Sequence, residues 1–442
     1  MITRRHIFAL LGLLLLAGCE LPGWMGGPGP EIVRTPGERI NVVVNDAQLT
    51  ADAAVANVPV EIPEQSNLAE WHNHNHAMLA QHIGLTGVTQ NQSATIGDGN
   101  RFSQAIVSSP VVAEGLVFAM DAAGFVSAHA ENDITTVRWR NEPARKETAR
   151  DVLGGGLAYA DGTLYATTGD GGLRAMDVKT GTTRWAINVG APVRGAPAIE
   201  NGLVVVLTAD NQTLAFDIAT ATPRWEHRGI RETAGYFSTT APVISDGIVI
   251  AAYSSGEVFA LRLESGAVLW NDTLGSSIKT KASAVFSGID ADPIVQDGVV
   301  VITTSSGQMQ ASALLNGRPL WQQRIGAHTT PWSAGNALFM LTDTHDLAAL
   351  FKRDGAVRWA TSLAVHDERQ SDKDITPALY GPILAGNALL VIDREGVLNI
   401  FRPQNGERIS RFELAGGVAS TPIIAGGALY YVSMDATLHR YY

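Results

Sequence analysis

The chain has 442 residues, 45% of them hydrophobic and 17% charged, a composition that supports a large packed core and excludes global disorder. With 43 acidic against 32 basic side chains its net charge is −11, which gives a phosphate backbone no electrostatic reason to bind, so no nucleic acid partner is expected. A single cysteine excludes an intramolecular disulfide and a zinc site built from several thiolates.

In chain order, residues 1–18 read as a secretory signal, with Arg4 and Arg5 ahead of an apolar run from Ile7 to Leu16 that is too short to span a bilayer. The run ends in Leu16-Ala17-Gly18-Cys19, which resembles the lipobox of bacterial lipoproteins and implies that Cys19 becomes the lipidated first residue. Glu20 follows, where the signal for retention in the inner membrane is Asp, so the resemblance points to the outer membrane. Residues 19–36, with Gly and Pro between Leu21 and Pro30, are expected as a lipidated tether.

Residues 46–100 carry no repeat and are expected as a long connection across one face of the domain. Within it His72, His74 and His76 alternate, which on a strand would place three imidazoles on one face fit for a metal. In a polar loop of Asn and His they are solvated instead, and no metal is expected.

Beyond residue 100 a repeat takes over. Tryptophans 139, 185, 225, 270, 321 and 359 are separated by 46, 40, 45, 51 and 38 residues, the spacing of a propeller or solenoid array. Most of them close one phrase, seen most fully from Ala175-Met176-Asp177 through Thr180-Gly181 to Trp185, in which a strand meets a glycine turn and a second strand carries the indole. The copy ending at Trp225 has Ala221 for the glycine, and those ending at Trp270 and Trp321 have Arg262 and Ala313 for the aspartate. Upstream lies a short apolar run after a glycine turn, at Gly115, Gly162, Gly202, Gly247, Gly298, Gly335, Gly386 and Gly426. A strand opened by proline often precedes it, as at Pro110, Pro197, Pro242, Pro377 and Pro422.

Four short strands in each of eight units describe an all-β, eight-bladed β-propeller with tryptophan-docking repeats, spanning residues 37–442 with its blades in 101–442. The eighth unit ends at Tyr442 after three strands, so an N-terminal strand must close the last blade. Gly37-Glu38-Arg39-Ile40 repeats Gly406-Glu407-Arg408-Ile409, the opening of the seventh unit's outermost strand, and residues 37–45 are therefore expected to fill that place.

Propeller geometry puts the turn between a blade's second and third strands on the same face as the loop into its first. Asp210 and Asn211 are thus expected near Arg194, with Asp290 and Asp292 opening on that face two blades on. Val193 offers a small apolar surface, Arg194 a bidentate donor, Gly195 close backbone approach, and the acidic pair an answer to basic side chains. The alternative for these charges is solvated surface. Calcium is not expected, since two carboxylates fall short of its roughly 6 to 8 ligands.

The Ala-x-Asp-x-x-Thr-Gly-x-x-x-Trp phrase resembles the repeat of the pyrroloquinoline-quinone-like β-propellers, and the match covers residues 37–45 and 101–442. Joined to a lipobox and eight units, it resembles the BamB-type propeller lipoproteins of the outer-membrane β-barrel assembly machinery. That resemblance implies a non-catalytic scaffold on the periplasmic face of the outer membrane, without a cofactor. Its implied partners are the periplasmic domains of the central barrel subunit and nascent outer-membrane proteins, and its implied membrane link is a lipid anchor.

Val193-Arg194-Gly195-Ala196-Pro197 resembles the family's Leu-Arg-Gly-x-x-Ala-Pro contact loop, two residues shorter and with Val for Leu. Asp290-Ala291-Asp292 resembles its second contact loop. The alternative functions are a quinone-dependent dehydrogenase and a periplasmic ligand-binding propeller. The longest enzymes of the first class carry adjacent cysteines beside the cofactor, a pair that Cys19 alone cannot supply.

Overall fold

The computed structural model describes residues 49–72, 81–100, 104–142, 154–231, 240–274, 288–363 and 378–442. Over these the chain forms eight four-stranded antiparallel sheets, the blades of the expected β-propeller. Seven are continuous in sequence, over 111–141, 155–188, 198–228, 243–273, 294–323, 332–362 and 379–413, and are numbered 1 to 7. The eighth joins Ile423–Ala425, Ala428–Val432 and Thr437–Tyr441 to a strand from the other end of the chain, Asn91–Thr95.

Turn chemistry sets the blade register. Between first and second strands, Glu114-Gly115, Asp161-Gly162, Asn201-Gly202, Asp246-Gly247, Asp297-Gly298, Asn387 after Gly386, and Gly426-Gly427 all have positive φ at both positions. Such two-residue turns match the right-handed twist of the strands they join. Between third and fourth strands the aspartate of the repeat organises its own turn. The Asp177 carboxylate accepts from Thr180 N, Thr180 Oγ1 and Lys179 N, and its second oxygen meets Arg184 at 2.7 Å. The Arg184 hydrogen bond, with those from Thr180, holds the Asp177 carboxyl down at about 2. Blade 3 pairs Asp217 with Arg224 at the same places. Where blades 4 and 5 have lost the aspartate, to Arg262 and Ala313, the arginine is also gone, and Leu269 and Leu320 stand exposed instead.

The six spaced tryptophans tie each blade to the next. Trp139, Trp185, Trp225, Trp270, Trp321 and Trp359 donate their indole N–H to Val178, Ile218, Leu263, Leu314, Lys352 and Pro403 O, each on the following blade, at 2.6–3.0 Å. The indole covers the turn glycine so closely that a Cβ on Gly181, Gly266, Gly317, Gly355 or Gly406 would lie 2.5–2.7 Å from it. Close approach and φ near +70° both select glycine there, and Ala221, at φ 56°, is the one exception in this series.

Ser410 occupies the tryptophan's register position on blade 7, and the fourth strand of blade 8 carries no indole either. These two interfaces flank the ring closure, and a crossing segment braces them. Residues 59–72 and 81–90 run across the ends of first strands: Asn336 N of blade 6 donates to Glu61 O, Gly426 N of blade 8 to Leu68 O, and Tyr159 N of blade 2 to His72 O. Trp71 bridges Val112 of blade 1, and Ile83 bridges Ala385 of blade 7. Trp71, Ile83 and Ile96 join Trp332, Phe339, Leu384 and Tyr430 in the largest core cluster of the protein. Part of the stretch expected as connection is therefore core.

The closing strand is N-terminal, but its location corrects the expectation. Asn91–Thr95 pair with Thr437–Tyr441, and Gln90 and Tyr442 continue the ladder with bonds in both directions, so the place assigned to residues 37–45 is taken. An outermost strand buries little, and Asn91-Gln92-Ser93-Ala94-Thr95 alternates exposed and half-buried positions with no large apolar residue to betray it. Residues 1–48, including Cys19, the signal, the tether and the 37–45 segment, lie outside the described residues, as do His74 and His76.

The docking contact predicts a specific non-additivity. Gly317→Ala should cost about 2 kcal/mol, through left-handed backbone strain of about 1 kcal/mol and the clash with Trp270. Trp270→Ala alone should cost about 3–5 kcal/mol. In the Trp270→Ala background Gly317→Ala should cost only the strain, and a double-mutant cycle in denaturant reads the difference. Strict additivity would show that the indole and this glycine are not in contact.

Candidate partner-docking site at the mouth of the axial cavity

The first strand of each blade runs from a loop at one end of the ring to a turn at the other, and the crossing segment bonds to that second end on blades 6, 7, 8, 1 and 2. At the loop end lies a cavity of about 310 Å³ to which every blade contributes, from Ser109 on blade 1 to Thr421 on blade 8. Gly155, Gly156, Gly195, Ala196 and Ala241 line much of it, and small side chains on the inner strands are what leave the axis open. Trp332 lines the cavity too, while its indole N–H donates to Gln81 O of the crossing segment at 2.8 Å.

The structure brings together Gly195, Asp290 and Asp292 from the expected set, all on this cavity. Asp292 accepts from Ala241 N at 2.7 Å and its own N–H donates to Thr330 Oγ1, so its loop is tied to blades 4 and 6. Asp290 is largely buried, with 11% of its side chain exposed, and one oxygen meets His328 Nδ1 at 3.2 Å. That hydrogen bond, with the charge of the carboxylate, raises the His328 pKa above its usual value. Nearby, burial pushes the Asp343 carboxyl up and the His345 imidazole down.

Arg194 lies beside Asn211 as expected, but it is not at the surface. Val193 and Arg194 are only 1% and 3% exposed, which corrects the picture of a docking side chain ready to reach outward. The guanidinium donates to Asn211 Oδ1 at 2.9 Å, and that same oxygen accepts from Ser254 N and Oγ on blade 4. Val193 bridges Thr208 and packs with Val204 and Val206. The two residues thus hold the rim in shape from beneath, and Gly195, whose carbonyl accepts from Thr167 Oγ1, is the part of the loop that lines the cavity. Asp210 is half-buried, its oxygens accepting from Thr208 Oγ1 and Gln212 Nε2 within its own turn.

Sequence reasoning missed His328, Thr329 and Trp332, because their places in the repeat carry no recurring residue type: Trp332 opens blade 6's first strand where Val111, Val243 and Ile294 open theirs. It noted Asn211 only as a neighbour. Asparagine in a turn at φ 60° was the available signal for a shaped corner. Among the described residues no group of three His, Cys, Asp or Glu is placed to hold a metal, and His72 hydrogen-bonds Glu70 at 2.7 Å.

The family model described as outer membrane protein assembly factor BamB matches residues 122–361, more than half of the chain. The chain belongs to this family. Proteins named BamB from Escherichia coli (strain K12) and Salmonella typhimurium are each 28% identical to it, over 78% and 75% of the chain and 85% and 83% of their own lengths. BamB of Legionella pneumophila is 29% identical over 46% of the chain, and the chain spans half the length of that relative. BamB from Moraxella catarrhalis superposes with a TM-score of 0.66 at 20% identity, over 80% of this chain and 99% of that one. A quinohemoprotein alcohol dehydrogenase from Comamonas testosteroni reaches 0.65 at 13% identity, over 85% and 81%. At such identities both likenesses show the fold alone. BamB is named as an assembly factor and not as an enzyme, in line with the non-catalytic expectation.

The Asp290–His328 pair makes a prediction with a definite sign. Because the folded-state value of His328 lies above the unfolded value of 6.5, the pair stabilises the fold below about pH 6.5, and the contribution fades as pH rises through the raised value. Asp290→Asn should move the His328 titration, followed by NMR, to lower pH. An unmoved midpoint would show that the pair does not form in solution.

Proposed function

We infer that the protein is a non-catalytic scaffold for outer-membrane protein assembly, docking the periplasmic domains of the central barrel subunit at the rim of the axial cavity and assisting insertion of nascent outer-membrane proteins. Membership of the BamB family carries the reading. The geometry supports it: an acidic loop with Asp290 and Asp292 opens on a concave mouth, beside the Val193-Arg194-Gly195 rim and the Asp210 turn. Loops at one end of a rigid scaffold are where binding residues concentrate. In this reading residues 1–18 are removed, Cys19 is acylated, and 19–36 tether the propeller to the periplasmic face of the outer membrane.

Two outcomes check it. Asp290→Lys should weaken association of the full chain with the central subunit's periplasmic domains at least about tenfold, an effect of about 1.4 kcal/mol, while circular dichroism stays unchanged. Undiminished affinity would move the contact away from the cavity. Cys19→Ala should shift the protein from the outer-membrane fraction to the soluble periplasm or leave the signal uncleaved, and retention in the membrane fraction with normal processing would rule out lipid anchoring through Cys19.

A further inference from the structure

Among the described residues eight large apolar side chains stand exposed, and four of them share one stretch of the outer rim: Val268 and Leu269 of blade 4, and Leu315 and Leu320 of blade 5. The Trp270 indole, bonded to Leu314 O at 2.6 Å, ties the first pair to the turn that carries Leu315. The turns between third and fourth strands lie at the end of the ring away from the axial cavity, since Leu263 N donates to Gly247 O and Leu314 N to Gly298 O, each in its own blade's first turn. The repeat does not call for these leucines. Two residues before the turn glycine, blades 2, 4, 6 and 7 have Lys179, Glu264, Arg353 and Gln404, whereas blade 5 has Leu315, 75% exposed. Leu269 and Leu320 stand where blades 2 and 3 carry Arg184 and Arg224. Arg262 and Arg318 are exposed in the same two turns, with Glu264 the one acidic side chain between them.

The chain enters the propeller beside this edge. Leu49 packs against the cluster that holds Trp321 and Val357, Asp52 N donates to Val357 O, and Arg358 Nε donates to Val58 O at 2.7 Å. Val357 opens the fourth strand of blade 6, one blade on, and Trp321, turned into that cluster, is the chain neighbour of Leu320, turned out. Residues 19–48 reach at most about 100 Å from this point.

We propose that this rim is a membrane-seating edge, at which Leu269, Leu315 and Leu320 enter the interface of a phospholipid bilayer while Arg262 and Arg318 reach its phosphates. Exposed leucines at turn tips gain by leaving water for the acyl boundary, and arginine stems follow them with the charged head at phosphate level. The choice of a bilayer as occupant rests on the Cys19 anchor inferred above, which keeps the edge nearest the tether within reach of lipid and raises its effective concentration there. The partner-docking rim lies at the other end of the ring, so the two surfaces can be used together.

The probe is vesicles of phosphatidylethanolamine and phosphatidylglycerol, added to the full chain carrying Cys19→Ala and an environment-sensitive fluorophore on Asn316→Cys, then the only thiol. Vesicles should shift that emission to the blue, while the same label on Lys179→Cys, the matching turn of blade 2, stays unmoved. Leu315→Ser with Leu320→Ser should raise the lipid needed for half the shift at least about tenfold, with circular dichroism unchanged. Should that pair fold poorly, Leu315→Ser alone should still raise it several-fold. No shift at position 316, an equal shift at 179, or an unaltered lipid requirement in the serine variants overturns the proposal. A shift produced by the central subunit's periplasmic domains and not by vesicles overturns it too, and makes the rim a protein contact. The acylated chain, its Cys19 thiol blocked, should need at least about tenfold less lipid than the Cys19→Ala chain. An equal requirement would count against the anchor and leave the vesicle titration as the test of the rim.

Discussion

The whole ring depends on one contact, an indole laid over the glycine of the next blade's turn with its N–H on the carbonyl beside that turn. It buries a large aromatic side chain and satisfies its only polar atom in the same step, which is the condition under which tryptophan can be interior. Its reach is one blade, so it converts eight sheets that would each be marginal alone into a chain of mutually dependent neighbours. The contact also constrains the turn in return. Glycine is favoured by the approach of the ring and by the backbone angle together, and Ala221, at φ 56°, is the one place where a Cβ is accommodated.

Six of the eight interfaces use that contact, and the two without it lie where the chain must join its own beginning. There the crossing segment substitutes breadth for repetition, placing Trp71, Ile83 and Ile96 in one core with blades 6, 7, 8 and 1. The same segment lies at the turn ends of the first strands of blades 6, 7, 8, 1 and 2, and the cavity lined by Asp290 and Asp292 lies at the loop end. Closure and site thus take opposite ends of the first strands.

Blade number and the role of the tryptophans were legible because they repeat, and repetition shows in spacing even when single residues drift, as at Ala221, Arg262 and Ala313. The closing strand was not legible. Asn91–Thr95 is outermost, exposed on alternate positions and held by backbone bonds, so its side chains carry no signature, whereas Gly37-Glu38-Arg39-Ile40 mimicked one. The site was legible in part. Arg194 and Asn211 were paired correctly by topology, but topology does not tell on which side of a loop a guanidinium lies, and Asn211 turned it inward by offering an acceptor shared with Ser254. His328, Thr329 and Trp332 stand where the repeat fixes position but not residue type, and the neighbouring entry loops of blades 5 and 6 bring His328 and Thr330 to the acidic pair.

Asn91 and His439 make contact across 348 residues of chain. Nearly every other strand pairs with a neighbour a few residues away, so the propeller accumulates from local hairpins and then waits on a single distant event. During synthesis Asn91–Thr95 emerge before the blades and their partner, Thr437–Tyr441, last. Blades 1 to 7 can form while the eighth sheet still lacks its outermost strand, and the exposed edge of Thr437–Tyr441 is open to a foreign strand until the proper one pairs. The polar, unremarkable character of Asn91-Gln92-Ser93-Ala94-Thr95 suits a strand that must remain unpaired through that interval without recruiting other chains.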